Sequence, residues 1–131
     1  MEGQTHSQCI LVVDGDVLVR HAISDYLRQC GYTVVEAATT DEAMTVLGAD
    51  DVAVNVVLCD ALAPGWQTAL GFRAWAAQHC QNVQVVLARN IEAAANKAAE
   101  LCEEGPQLAR PYDPESVVEY VKRLSSSAQG V

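Results

Sequence analysis

Three aspartates stand where chemistry would be placed. In "VVLCDALAPGW" an apolar run ends on Asp60 ahead of a Pro64-Gly65 turn, and in "CILVVDGDVLV" a similar run ends on Asp14, with Asp16 two residues further on. Burying a carboxylate is costly unless it is solvated or paired, so each strand end is expected to open into a crevice, and two such ends can share one acidic pocket. The other chemistry-bearing residues are dispersed. Cysteines 9, 30, 59, 80 and 102 form no C-x-x-C pair, and His6, His21 and His79 are equally scattered. A zinc site needs clustered ligands. An odd cysteine count without a secretion signal argues against a disulfide framework, so the cysteines read as small buried hydrophobes with no function assigned.

The elements that must position the aspartates follow from periodicity. "CILVVD" is a continuous apolar run suited to a strand buried on both faces, and Val19, Ala22, Ile23, Tyr26, Leu27 and Cys30 then recur at helical spacing up to a stop at Gly31. "YTVVEA" is a second strand. "TTDEAMTVLG" is a short helix with Thr39 and Glu42 at capping-box spacing. The third strand is "VAVNVVLCD", followed by a helix carrying Phe72, Trp75, Ala76 and His79 on one face and running to about Cys80. "VQVVLA" is the fourth strand. Ile91, Ala94, Ala95, Ala98, Leu101 and Cys102 form the next helical stripe, "QLA" a short fifth strand, and Asp113-Pro114 the N-cap and first turn of a last helix with Val117, Val118, Val121 and Leu124 inward.

Strict alternation with strands apolar on both faces predicts a parallel α/β sheet covered by helices on two sides and wound right-handedly. Ligands of such sheets sit at the C-terminal strand ends, which gathers Asp14, Asp16, Asp60, Ala88 and Arg110 around one crevice. The 131 residues fit one domain, expected over 9–125, with flexible tails at 1–8 and 126–131 and no output domain. Eight Lys and Arg against 17 Asp and Glu give a formal charge of -9, which disfavours nucleic acid and anionic membranes as partners. No segment reads as a signal or a membrane span, so the expected location is the cytoplasm.

At this point the chain resembles a family, the receiver domain of two-component response regulators, over about Cys9 to Leu124. "ILVVDGD" is similar to the family's first strand with its acidic cluster, "VVLCDALAPG" to its phosphoacceptor strand and loop, and "ARPYDPESVVEYVKRL" to its Lys-Pro-aromatic segment and last helix. "GYTVVEAATTDEA" between them is receiver-like as well. The resemblance implies a flavodoxin-like (βα)5 fold, doubly wound, with five parallel strands in the order 2-1-3-4-5. It puts Asp60 in the phosphoacceptor position and makes Mg²⁺ the cofactor, with Asp14, Asp60, the Leu62 carbonyl and, from the loop, Asp16 as candidate ligands. Catalysis would be phosphoryl transfer onto the Asp60 carboxylate from a sensor histidine kinase or phosphotransfer protein, and not enzymatic turnover. A cis Arg110-Pro111 bond is expected on the same ground.

The departures from the family carry as much meaning. Gly15 replaces the second adjacent acid. Ala88 takes the position of the Ser or Thr that bonds the phosphoryl group, Arg89 that of a small residue, and Arg110 that of the paired lysine, where a planar fork replaces a compact ammonium. The switch aromatic falls near Gln107. Trp66, Arg89, Gln107 and Tyr112 are assigned to the interaction side, and Arg89 and Arg110 read equally as solvated surface groups or as partners of Asp60 and Asp14. The family's usual docking or dimerisation face covers the segment from Ala94 to Leu124, consistent with a monomer or weak homodimer that acts on an unidentified target protein.

Three functions remain. One is a receiver that takes phosphate on Asp60 with phosphorylation, Mg²⁺ affinity and switching all weakened. Another is a phosphorylation-independent pseudo-receiver acting as an interaction module. The third and most remote is a phosphohydrolase, since "VVDGDVLV" also resembles the opening motif of haloacid dehalogenase-like enzymes, with Asp14 as nucleophile and Asp16 as general acid.

Overall fold

The computed structural model describes residues 8–49 and 51–104, together with 115, 116, 118, 119, 122 and 123. Four β/α units follow one another: β1 (Cys9–Val13), α1 (Val17–Gln29), β2 (Thr33–Ala37), α2 (Thr40–Gly48), β3 (Val56–Asp60), α3 (Ala69–His79), β4 (Gln84–Ala88) and α4 (Ile91–Glu104). All pairings are parallel, in the order β2-β1-β3-β4. This is the expected parallel α/β arrangement, with β1 and β3 central, β1 wholly apolar and β3 apolar up to its last residue, Asp60. The expected fifth strand, the Arg110-Pro111 bond, and Gln107, Arg110 and Tyr112 lie outside the described residues.

Local chemistry sets the element ends. The Asp16 carboxylate caps α1 by accepting from the amides of Leu18 and Val19, and Gly31 closes that helix with φ at 98°, a left-handed conformation that favours glycine. The Thr39 hydroxyl accepts from the Glu42 amide at 3.1 Å, while the Glu42 carboxylate accepts from the Ala38 amide at 2.7 Å, a capping box displaced by one residue on its return bond. Thr68 caps α3 through the Gly71 amide. The third strand is shorter than the apolar run implied. Its ladder with β1 starts at Ile10 opposite Val56, and Asn55, one residue earlier, uses its side chain to accept from the Cys9 amide at 2.8 Å.

The two faces of the sheet carry separate cores. On one, Leu11, Val13, Val57 and Cys59 pack against α2 and α3 through Ala43, Ala69 and Phe72. On the other, Ile10, Val12, Leu58 and Ala88 meet α1 through Val19, Ile23, Tyr26 and Leu27, and meet α4 through Ala94, Ala95, Ala98 and Leu101. α4 therefore shares a face with α1. A right-handed crossover leaving β4 away from β3 would carry its helix over the α2/α3 face, so the seating of α4 beside α1 departs from the right-handed winding expected from the sequence. Its apolar stripe packs on α1 and the sheet, and what it presents to solvent includes Glu92, Asn96 and Glu100.

This placement corrects the reading of the cysteines. Cys30, the C-cap of α1, and Cys102, near the end of α4, form a disulfide with Cα atoms 5.3 Å apart. Their 72-residue separation hides the pairing in the sequence, because only the seating of α4 beside α1 brings them together. Cys9 and Cys59 are buried free thiols, as expected, while Cys80 is half-buried.

Candidate functional site

Asp14 follows β1 and Asp60 ends β3, adjacent strands in register, so both carboxylates emerge at the same C-terminal edge. Between them and α4 lies a cavity of about 330 Å³ whose lining includes Asp14, Asp16, Asp60, Ala88 and Asn90 at the mouth and Val12, Val19, Leu58 and Ile91 deeper in. Four of the residues expected around one crevice are thus gathered there. Asn90 and Glu92 join them without having been anticipated; Asn90 caps α4 through a 2.7 Å bond from the Ala93 amide to its Oδ1, and only its cap-like position before the stripe could have flagged it.

Each aspartate already serves the backbone. Asp14 Oδ1 accepts from the Asp16 amide at 2.8 Å, Asp16 Oδ1 from the Leu18 amide at 2.9 Å and the Val19 amide at 3.4 Å, and Asp60 Oδ1 from the Leu62 amide at 3.1 Å. For Asp14 and Asp60 no bond to Oδ2 is found among the described residues. Burial pushes the Asp14 carboxyl up to about 6, opposed by the Asp16 amide and the Arg20 charge and reinforced by the charges of Asp60 and Asp16. Arg20 also holds the position mechanically, donating from Nη1 to the Asp14 carbonyl at 3.0 Å and from Nε to Glu36 at 3.1 Å, with Arg28 on the other Glu36 oxygen. Nothing in the residue pattern singled out Arg20. The thiol of Cys59, beside Asp60, is pushed up to about 12, chiefly by burial.

Pro64 explains why residue 15 is glycine. A Cβ at Gly15 would sit 2.8 Å from Pro64 Cδ and 2.9 Å from Cγ, closer than side-chain contacts allow. The loop that carries Pro64 is itself fastened to α2: the Thr40 amide donates to the Pro64 carbonyl at 2.9 Å, the Thr40 hydroxyl to the Gln67 carbonyl at 2.8 Å, and the Trp66 amide to Asp41 at 3.1 Å. Gly65, at φ 138°, packs so tightly on Thr40 that an added Cβ would lie 2.2 Å from its Oγ1.

Among the described residues no group of three or more His, Cys, Asp or Glu is arranged to hold a metal ion. The donor set that does face the cavity includes Asp14 and Asp60, each with one oxygen that makes no hydrogen bond among the described residues, and suits the partial, water-completed coordination of Mg²⁺. Asp16 also lines the cavity, with its Oδ1 committed to the cap of α1. Arg89 is exposed and makes no ion pair with Asp14 or Asp60 among the described residues. Leu62, whose amide bonds Asp60, and Trp66, further along the same loop, are 83% and 89% exposed, the largest such apolar exposures among the described residues. No described helix is long and apolar enough to cross a membrane.

No protein-family model matches the chain, and no curated protein matches it in sequence. Solved structures do. The signal receiver domain of an HD domain-containing protein from Pseudomonas fluorescens is similar at TM-score 0.60 and 18% identity, over 98% of this chain and 97% of that one. The chemotaxis response regulator CheY4 of Vibrio cholerae is similar at TM-score 0.55 and 22% identity over 91% and 99%, and the receiver domain of the hybrid histidine kinase CckA at 0.53 and 20% over 72% and 98%. The chain has the fold of these response-regulator receiver domains.

Proposed function

We propose that this chain is a receiver-type signalling module in which Asp60 is the phosphoacceptor and both acceptance and switching are weakened. The observation that supports it is the convergence of Asp14, Asp60 and Ala88 on one cavity at the C-terminal edge of the sheet. In the reaction an uncommitted Asp60 oxygen attacks phosphorus, a P–O bond forms, and the bond to the donor group breaks as that group leaves with its electron pair. Mg²⁺, held by Asp14, Asp60 and the Leu62 carbonyl, would offset charge on the transferred oxygens. Asp14 must be ionised to hold it, which costs binding energy below about pH 6. Ala88 offers a methyl where a hydroxyl would bond the phosphoryl group, so the readout through that strand end is lost. Leu62 and Trp66 give a partner, a histidine kinase or phosphotransfer protein, an apolar contact next to the acceptor.

The test is mass spectrometry of the intact chain after incubation with acetyl phosphate and Mg²⁺. A phosphoryl-sized gain that disappears in Asp60→Asn supports the reading. The second reading, an interaction module that uses no phosphate, is favoured by the clash that keeps residue 15 a glycine and by Ala88. Absence of any mass gain, with Trp66 emission unaltered by Mg²⁺, would decide for it.

A further inference from the structure

The two ends of α4 are held unequally. Its first turn forms a wall of the acidic cavity through Ile91, Glu92 and Ala94. Below that wall, Ala94, Ala95 and Ala98 offer only methyl groups to α1 and the sheet, and a methyl buries little apolar area. The first turn is held by Ile91 against the core and by the exposed Glu92–Lys122 ion pair, whereas the other end carries Leu101 in the core, the Tyr32 hydroxyl donating to the Leu101 carbonyl, and a covalent tie, the Cys30–Cys102 bond. Both sulfurs are fully buried, yet both sit at helix ends, Cys30 at the C-cap of α1 and Cys102 in the last turn of α4. Helix ends open locally far more readily than helix centres, which gives a thiolate a route to the bond.

We propose that Cys30 and Cys102 are a thiol–disulfide switch that fixes the seating of α4, and with it the wall that α4 gives the acidic cavity. The reductant is an external dithiol. One of its thiolates attacks a sulfur of the pair, forming a mixed disulfide and releasing the other cysteine; its second thiolate then displaces the remaining protein sulfur. The dithiol leaves as its own disulfide, and Cys30 and Cys102 have gained two electrons and two protons between them. A disulfide exposed to cellular reductants is characteristically transient and redox-sensing, whereas in oxidising compartments it persists. The switch does not depend on whether Asp60 takes phosphate.

A crosslink that merely supported the whole fold would protect every element alike, and amide hydrogen exchange of the full chain with and without dithiothreitol separates the two roles. Reduction is expected to speed exchange of the amides from Ala93 to Ala99 by about ten-fold or more, with less than about two-fold change at Leu11 and Leu58 in the central strands. Reoxidation should restore the slow rates. C102S, with C30S as a second variant, should show the reduced pattern without dithiothreitol and no response to it. Unchanged α4 exchange on reduction, or an equal rise in helix and strands, overturns the switch; should both variants fail to fold, the reduction of the unaltered chain decides alone.

Discussion

Replacing Asp14 by asparagine should stabilise this chain at neutral pH, although it removes a charged group from the candidate site. The Asp14 carboxyl, with an ordinary value of 3.8, is raised to about 6 in the folded chain, chiefly by burial. Between those values the folded state holds a proton that the unfolded state has released, so stability falls as pH rises through that window and the loss is complete above about pH 6. A difference of about two pH units corresponds to roughly 3 kcal/mol without screening. Asp14 opens onto a water-facing cavity, and discounting for that solvent leaves about 1 to 2 kcal/mol. Asparagine keeps an Oδ1 for the Asp16 amide and carries no charge to desolvate, so Asp14→Asn should recover this amount, a melting-point gain of roughly 3 to 8 °C for a chain of this size. Urea unfolding in metal-free buffer from pH 4 to pH 8 measures it. The variant and the original should be equally stable near pH 4 and diverge to a plateau above pH 6. A difference independent of pH, or a variant less stable at pH 7.5, would refute the argument that burial of an unneutralised carboxylate dominates this position.

Gly15→Ala should cost about 1 to 3 kcal/mol in chemical denaturation, because the proline ring it meets cannot swing aside. Gly15→Asp alone should leave Mg²⁺ affinity no better than the original in calorimetric titration, whereas combining it with Pro64→Ala should tighten binding. Trp66→Phe should abolish most acrylamide-quenchable emission and change stability by no more than about 0.5 kcal/mol, since Trp66 is 89% exposed and Trp75 is half-buried and stacked on Phe72 and His79. Among the free thiols, Cys80 should react first with a maleimide in the native chain, as the buried Cys59 thiol is held near 12 and Cys9 is also raised by burial.

Much of the fold was legible because its signals are local. Continuous apolar runs located β1 and β3, 3.6-residue stripes located α1, α3 and α4, the capping-box spacing located α2, and Thr39, Glu42 and Gly31 marked ends that the structure places close by. What stayed hidden is what depends on elements meeting. The stripe of α4 shows that it has an inward face and not which side of the sheet it covers, so neither its place beside α1 nor the Cys30–Cys102 bond could be read. The same holds for Asp16, whose spacing permits a ligand and whose backbone makes it a helix cap. Arg20, which fixes the Asp14 carbonyl from sixteen residues before its partner Glu36, and Pro64, which crowds Gly15 from the opposite loop, belong to the site only in three dimensions.

The contact between Pro64 and position 15 also bears on what this chain can become. An acid placed at position 15 by one substitution meets the proline ring, while the loop that carries Pro64 is tied to α2 through backbone groups, the Pro64 and Gln67 carbonyls and the Trp66 amide, which a change of the proline side chain leaves in place. A carboxylate at position 15 therefore takes two coordinated changes, the ring first and the acid second.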